Sequence, residues 1–249
     1  MLKEERHQTI LTQVELHNRV LLTDIAEILD VSIDTVRRDV KELDHDSKLR
    51  KVHGGAISLG FTTNSARNQN IYALSQKTKI AEKAASLLKN GGVIFIDGGT
   101  TCLELARLIP IELQLTCFTL SLPVAMELNN KPNVEVIFIG GKISKEAQIA
   151  IGASATNLLS EIKVDYSFIG TGYVDASFGL TEFDWDIVQV KKAVIKASKK
   201  TVLLCISEKL NSQHRYKTCD IKEINTMVTE LDSTDSQLDQ FKNHNVHII

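Results

Sequence analysis

At 249 residues the chain is longer than a usual single domain and implies two, one small and one large. Its 43% apolar composition is that of a globular protein, and no apolar run is long enough to span a bilayer, which argues against a membrane protein. A net charge of −2 means that any affinity for nucleic acid must come from where charges are placed and not from their sum.

The start, Met-Leu-Lys-Glu-Glu-Arg, has no apolar signal segment, so a cytoplasmic location is expected. Cys102, Cys117, Cys205 and Cys219 are scattered without a CxxC pair and read as free buried thiols. The seven histidines are equally dispersed, and neither a metal nor a cofactor is expected.

From Lys3 to about His17, Ile10, Leu11, Val14 and Leu16 predict a first helix that walls a small core. Leu22 to Leu29 repeats the amphipathic pattern, and only Asp30-Val31 separates it from Ser32, which reads as the N-cap of a third helix. Two short helices joined so tightly make a helix-turn-helix. In the third helix Val36, Val40 and Leu43 form the inward stripe. Thr35, Arg38 and Lys41, with Arg37 at the edge, face outward as a set able to reach phosphates and base edges in a major groove. Lys48 to Ile57 reads as two short strands around a basic segment, a wing. Residues 1–60 hold nine Lys and Arg against eleven Asp and Glu, so the segment is not basic overall. Between Arg37 and His53 there are six basic and four acidic residues, which implies modest non-specific affinity and strong salt dependence.

A run of charge alone is an ordinary solvated face; the whole constellation carries the reading. Arg6, Ile10 and Val14, followed by Ser32-x-x-Thr35-Val36-Arg37-Arg38-Asp39-Val40 and closed by His53-Gly54-Gly55-Ala56, resemble the DeoR family of bacterial transcription regulators. The resemblance implies a winged helix-turn-helix on double-stranded operator DNA. Arg37, Arg38, Lys41, Arg50 and Lys51 are expected mainly on phosphates, Thr35 and one arginine on bases, with Ser32, His53 and Gly54 completing the surface.

The polar, aperiodic stretch 59–74 reads as a linker between a DNA-binding domain over 1–58 and a sensor domain over 75–249. A helix is expected from Ser75 to Leu88. An α/β rhythm follows, with strand-like runs at Val93–Ile96, Leu115–Leu120, Val134–Ile139, Tyr166–Ile169, Val202–Ile206, Thr226–Val228 and Val246–Ile249. Helical stretches at Cys102–Ile109, Pro123–Leu128, Ser154–Ile162, Asp186–Ser198 and Ser236–Asn243 lie between many of them. Several strands are apolar on consecutive residues, as strands covered on both faces are, so a mostly parallel sheet flanked by helices is expected.

Ligands of such sheets bind at the loops leaving the carboxyl ends of the strands. Asp97-Gly98-Gly99-Thr100-Thr101 joins a strand to a helix and offers two glycines, two hydroxyls and a helix N-terminus, a phosphate cradle without the lysine of a P-loop. Ser121, Gly140-Gly141-Lys142 and Gly170-Thr171-Gly172 follow later strands, and Lys209 after Ser207 could balance an anion. Lys142 and Lys209 can equally be surface lysines, and Lys191 and Lys192 share an amphipathic helix that could turn one of them to the pocket or both to solvent.

These residues extend the resemblance, since the DeoR family couples its DNA-binding domain to a sugar-phosphate sensor similar in fold to ribose 5-phosphate isomerase. It implies phosphate binding at 97–101 and recognition of sugar hydroxyls by later loops, with Gly170, Gly172, Asp175, Lys191 and Lys209 at the family's other motifs. The chain departs from that pattern at Leu120, Ile206, Ile187 and Gln189, where polar or acidic residues are usual. The expectation is an α/β protein of two domains: a sequence-specific regulator, expected to repress carbohydrate genes, gated by a phosphorylated sugar and assembled as a homo-dimer or homo-tetramer. Two other readings stand beside it: a sugar-phosphate isomerase using Asp97, Asp175 or Glu182, and a DNA-binding protein whose large domain only oligomerises.

Overall fold

The computed structural model describes Met1–Leu59 and Ile71–Ile249, so the expected linker falls largely on residues 60–70, outside the described residues. The chain divides into two compact units, Met1–Tyr72 and Ala73–Ile249.

In the first unit, α1 (Lys3–His17), α2 (Leu22–Leu29) and α3 (Ile33–His45) surround a core of Ile10, Val14, Ile25, Val36, Val40 and Leu43. Asp30 adopts the left-handed conformation at φ 51° and ends α2, which permits the tight turn into α3. Ser32 caps α3, its hydroxyl accepting from Thr35 N at 3.2 Å. The strands β2 (Arg50–Val52) and β3 (Gly55–Ile57) form the expected wing, and a strand not anticipated, β1 (Arg19–Leu21), completes an antiparallel sheet in the order β1-β3-β2. A Cβ at Gly55 would lie 2.1 Å from Val20 O, so this pairing requires glycine.

Asp39 is the buried exception to the polar outer face of α3. Its carboxylate receives Arg6 Nε at 2.7 Å and Arg6 Nη2 at 3.0 Å, and His7 Nε2 lies at 3.4 Å. This fork fastens α1 to α3.

The second unit opens with α4 (Leu74–Ala85), which stops three residues short of the expected Leu88. Then come β4 (Gly92–Ile96), α5 (Thr100–Leu108), β5 (Leu115–Thr119), α6 (Leu122–Leu128) and β6 (Val134–Phe138). A hairpin of β7 (Lys142–Ser144) and β8 (Ile149–Ile151) leads to α7 (Ala153–Ser160) and β9 (Val164–Ile169). A second hairpin of β10 (Tyr173–Asp175) and β11 (Gly179–Glu182) precedes α8 (Trp185–Ala197) and β12 (Ser198–Leu204). The chain continues through β13 (Tyr216–Cys219), β14 (Thr226–Val228), α9 (Asp239–Lys242) and β15 (His247–Ile248).

Seven strands form one sheet in the order β15-β14-β12-β9-β4-β5-β6, with every pairing parallel. One core cluster joins Phe95, Ile169 and Leu203 to Leu159 of α7 and Val190 and Val194 of α8. The alternate residues Ile94 and Ile96 are also buried, so the central strands are covered on both faces. From β4 the chain first builds outward through β5 and β6, then returns to place β9 on the other side of β4. The topological switch point therefore lies between β4 and β9.

Differences from expectation are local. The helix expected from Asp186 begins at Trp185 because Asp184 Oδ1 accepts from Asp186 N at 2.8 Å. The strand expected at Val202–Ile206 starts at Ser198, and residues 236–238 form a 3₁₀ turn before the short α9.

The burial of Asp39 would raise its pKa, but the Arg6 guanidinium and then His7 outweigh this and hold it below the ordinary carboxylate value. A depressed carboxylate contributes stability that is present above its unfolded pKa of about 4 and lost as pH falls through the lower folded value. Asp39→Ala is expected to cost the first unit on the order of 2 kcal/mol near neutral pH and to flatten its acid sensitivity below about pH 4, as read by urea unfolding across pH.

Candidate functional site

On the first unit, Arg37, Arg38, Lys41, Arg50, Lys51, His53 and Gly54 are exposed, while Thr35 is half-buried and its hydroxyl lies 2.9 Å from that of Ser32. Arg37 is paired with Asp34, and Arg38 Nε reaches Asp34 O at 3.3 Å. Lys51 N donates to Asp44 Oδ1 at 2.8 Å, which fixes the wing against the C-terminal part of α3. Gly54 takes φ +72° at the wing tip, a turn that glycine makes without strain. Arg6–Asp39 is a largely buried pair and Lys3–Glu42 an exposed one, so two cations and two anions of this unit are paired with each other.

On the second unit, the loops after β4 and β9 meet at the switch point. Gly99, at φ +102°, precedes α5, and no side chain caps that helix. Its first amides thus have no side-chain cap, and Thr100 and Thr101 are half-buried in the first turn. Gly98 has no room for a side chain: a Cβ there would lie 2.5 Å from Ile149 Cγ2 and 3.7 Å from Ser121 Cβ. A Cβ at Gly170 would approach Gly98 O at 3.7 Å. Gly98, Ser121, Ile149 and Gly170 thus pack together at one place.

Beneath it lies a buried ionic cluster. Lys191 Nζ donates to Gly170 O at 2.7 Å and to Glu182 Oε1, and lies 3.6 Å from Asp97 Oδ2. Glu182 Oε1 also accepts from Gly172 N at 3.0 Å. Burial alone would lower the Lys191 pKa, but Glu182 and Asp97 outweigh it and raise the value. Burial drives the Asp97 carboxyl upward despite Lys191 and the amides of Gly98 and Gly170. Lys209 Nζ donates to Thr171 O at 2.8 Å, and burial, with the like charge of Lys191, pushes its pKa below the ordinary lysine value.

Asp97, the two glycines, Thr100, Thr101, Ser121, Gly170, Gly172, Lys191 and Lys209 therefore converge. The other predicted residues sit elsewhere in this geometry. Asp175 Oδ1 accepts from Ser177 N at 2.9 Å and Phe178 N at 2.8 Å, closing the β10–β11 turn. Lys142 is exposed on β7, and a Cβ at Gly141 would lie 2.9 Å from Ile151 O, so Gly140-Gly141 starts the β7–β8 hairpin. The sequence marks Glu182 only as a possible base and carries no signal for Glu230. Glu230 accepts from Ser207 N at 3.1 Å and from Ser207 Oγ at 2.5 Å, so the segment after β14 supplies a carboxylate beside the loop where Ile206 lacks one. No local spacing links residue 230 to residue 207, and only the strand order brings them together.

All four cysteines are free and buried, and burial pushes the Cys205 and Cys219 thiols up to about 12. No helix among the described residues is long and apolar enough to cross a membrane.

The family model described as a DeoR C terminal sensor domain matches residues 73–231, and that of a DeoR-like helix-turn-helix domain matches residues 6–60. The HTH-type transcriptional regulator GolR of Listeria innocua is 30% identical over 91% of this chain and 90% of its own length. The glycerol-3-phosphate regulon repressor of Haemophilus influenzae is 30% identical over 90% of this chain and 88% of its own. Among solved structures, ribose 5-phosphate isomerase A of Methanocaldococcus jannaschii aligns at a TM-score of 0.42 and 21% identity, covering 56% of this chain and 55% of that one.

Lys191 and Lys209 should separate on substitution. Lys191→Met leaves Asp97 and Glu182 without their buried counter-ion and is expected to cost the second unit about 3 kcal/mol in urea unfolding. Lys209→Met is expected to change stability by less than about 1 kcal/mol.

Proposed function

Because the chain belongs to the DeoR family of DNA-binding transcriptional regulators, we propose that it is a repressor of carbohydrate genes whose grip on its operator is set by a phosphorylated sugar or a related metabolite. The observation that carries the effector half is the uncapped N-terminus of α5 at the switch point, with Gly99 open to a phosphate and Lys209 beside it. Thr100 and Thr101 add hydroxyl donors, while Ser121 and the 170–172 loop bound the space left for the sugar. The named specificity of the Haemophilus relative for a glycerol-3-phosphate regulon fits a small phosphorylated effector.

The DNA half rests on Arg37, Arg38, Lys41, Arg50 and Lys51 as phosphate contacts and on Thr35 with one arginine as base readers, with Ser32, His53 and Gly54 at the same surface. Two such domains in a homo-dimer or homo-tetramer would read two half-sites and multiply affinity. Gating then needs an effector that binds one arrangement of the assembly better than another by a few kcal/mol. The protein acts in the cytoplasm, where its operator is.

Catalysis is disfavoured by how the carboxylates are used. Glu182 is held by Lys191 and Gly172 N, Asp97 lies against Lys191, and Asp175 is committed to a turn, so none of them stands as a base awaiting a substrate proton.

Purified protein should bind DNA from upstream of its own gene, and one member of a panel of sugar phosphates should change that affinity while its unphosphorylated counterpart does not. Arg37→Ala with Arg38→Ala is expected to weaken operator binding by at least about a hundredfold without loss of fold. Operator binding indifferent to every phosphorylated compound would count against the effector half, and unchanged binding by the double variant against the DNA half. Effector affinity should fall as pH rises through the depressed pKa of Lys209, because the charge that faces the anion is lost there. Titration calorimetry should show that Lys209→Arg removes this dependence, and that Lys209→Met weakens binding about tenfold or more.

A further inference from the structure

Trp185, the single tryptophan of the chain, is 54% exposed at the first turn of α8. Tyr216 meets its ring edge-on at 5.6 Å, and Lys192 Nζ lies 5.9 Å from the ring centroid, so it is held in place although it faces outward. Trp185, Gln189, Lys192 and Lys196 recur at spacings of four, three and four, which puts them on one stripe of the helix. Beside this stripe a groove of about 710 Å³ runs between α7 and α8, with Gly152, Ala153, Ala193 and Ala197 among its small lining residues. Gln189 Nε2 is buried there without a hydrogen-bond partner.

We propose that a second copy of this chain occupies the groove, with the two α8 helices packed antiparallel about a twofold axis. The occupant follows from the stripe itself. Reversal about an axis between residues 190 and 191 sets Trp185 opposite Lys196 of the second copy and Gln189 opposite Lys192. The aromatic knob at one end of the stripe thereby meets the small-residue end of the groove, near Ala193 and Ala197. In the same register Asp186 lines the N-terminal end and Lys163 and Lys196 line the other, so reversal brings Asp186 toward Lys196 at both ends, while Lys192 between them faces Gln189. A twofold interface needs a patch complementary to itself, and this face has the knob, the hole and both signs of charge. This rests on the proposed regulator as an oligomer and assigns the surface that builds it.

The test uses the full chain in sedimentation equilibrium, with acrylamide quenching of its one tryptophan. The expected result is a self-association in which Trp185 is shielded several-fold relative to protein diluted until it dissociates. Trp185→Ala should weaken self-association by at least about thirtyfold. Asp186→Lys and Lys196→Asp should each weaken it, and the two combined should restore it, an outcome that a folding defect cannot imitate. A wild-type monomer at the highest soluble concentration overturns the proposal. So does an assembly whose tryptophan is quenched like free indole, or a charge-reversed pair that fails to recover. If such a protein still binds its operator in an effector-dependent way, this surface is wrong and the regulator reading stands. Loss of effector response in an intact dimer is the converse.

Discussion

The ammonium of Lys191 is the point at which the large domain closes on itself. It takes the carbonyl of Gly170, the carboxylate of Glu182 and the nearby charge of Asp97, and so ties together the C-terminal ends of β4, β9 and β11. At a switch point the neighbouring chain segments diverge, and backbone bonding alone leaves a crevice between them. A buried cation surrounded by carboxylates fills the floor of that crevice and holds its walls at fixed separation. Three buried charges carry a desolvation cost of several kcal/mol each, and only their mutual attraction with satisfied hydrogen bonds offsets it. The arrangement is therefore rigid by necessity, and rigidity is what the proposed anion-binding loop needs above it.

The small domain solves a related problem at lower cost. Asp39 sits on the helix proposed to meet DNA, where a carboxylate would repel phosphate, yet it is turned inward onto Arg6 and His7. Its negative charge is thereby converted from an obstacle on the binding face into the bond that sets the angle between α1 and α3. The exposed cations of α3 and the wing are left to define the local potential, and the net charge of the domain is a poor guide to it.

Much of this was legible in the residues because the signals were local. The Ser32 cap, the Val36-Val40-Leu43 stripe and the Gly54-Gly55 wing are each decided within one helical turn or one hairpin. The parallel sheet announced itself through consecutive apolar residues such as Val93–Ile96. What escaped was set by distance along the chain. Lys191 had no spacing that distinguished it from Lys192, and its partners come from residues 97, 170 and 182. Glu230 reaches Ser207 across neighbouring strands. Short strands such as β7, β8 and β10 carry too few residues to show a period, and Asp175 resembled a ligand-facing acid until the turn it closes was seen.

The hairpin over the anion loop has a further consequence. Ile149, whose methyl group excludes any side chain from Gly98, stands three residues before Gly152, and Gly152 opens α7 at the edge of the groove that runs along α8. β8 is thus a lever only one strand long, with its short arm on the loop and its long arm on a helix. A rod of that length has no slack in which a displacement of a methyl's width could be lost. An effector bound at the proposed site beside Gly98 would meet Ile149 first and, through β8, the start of α7.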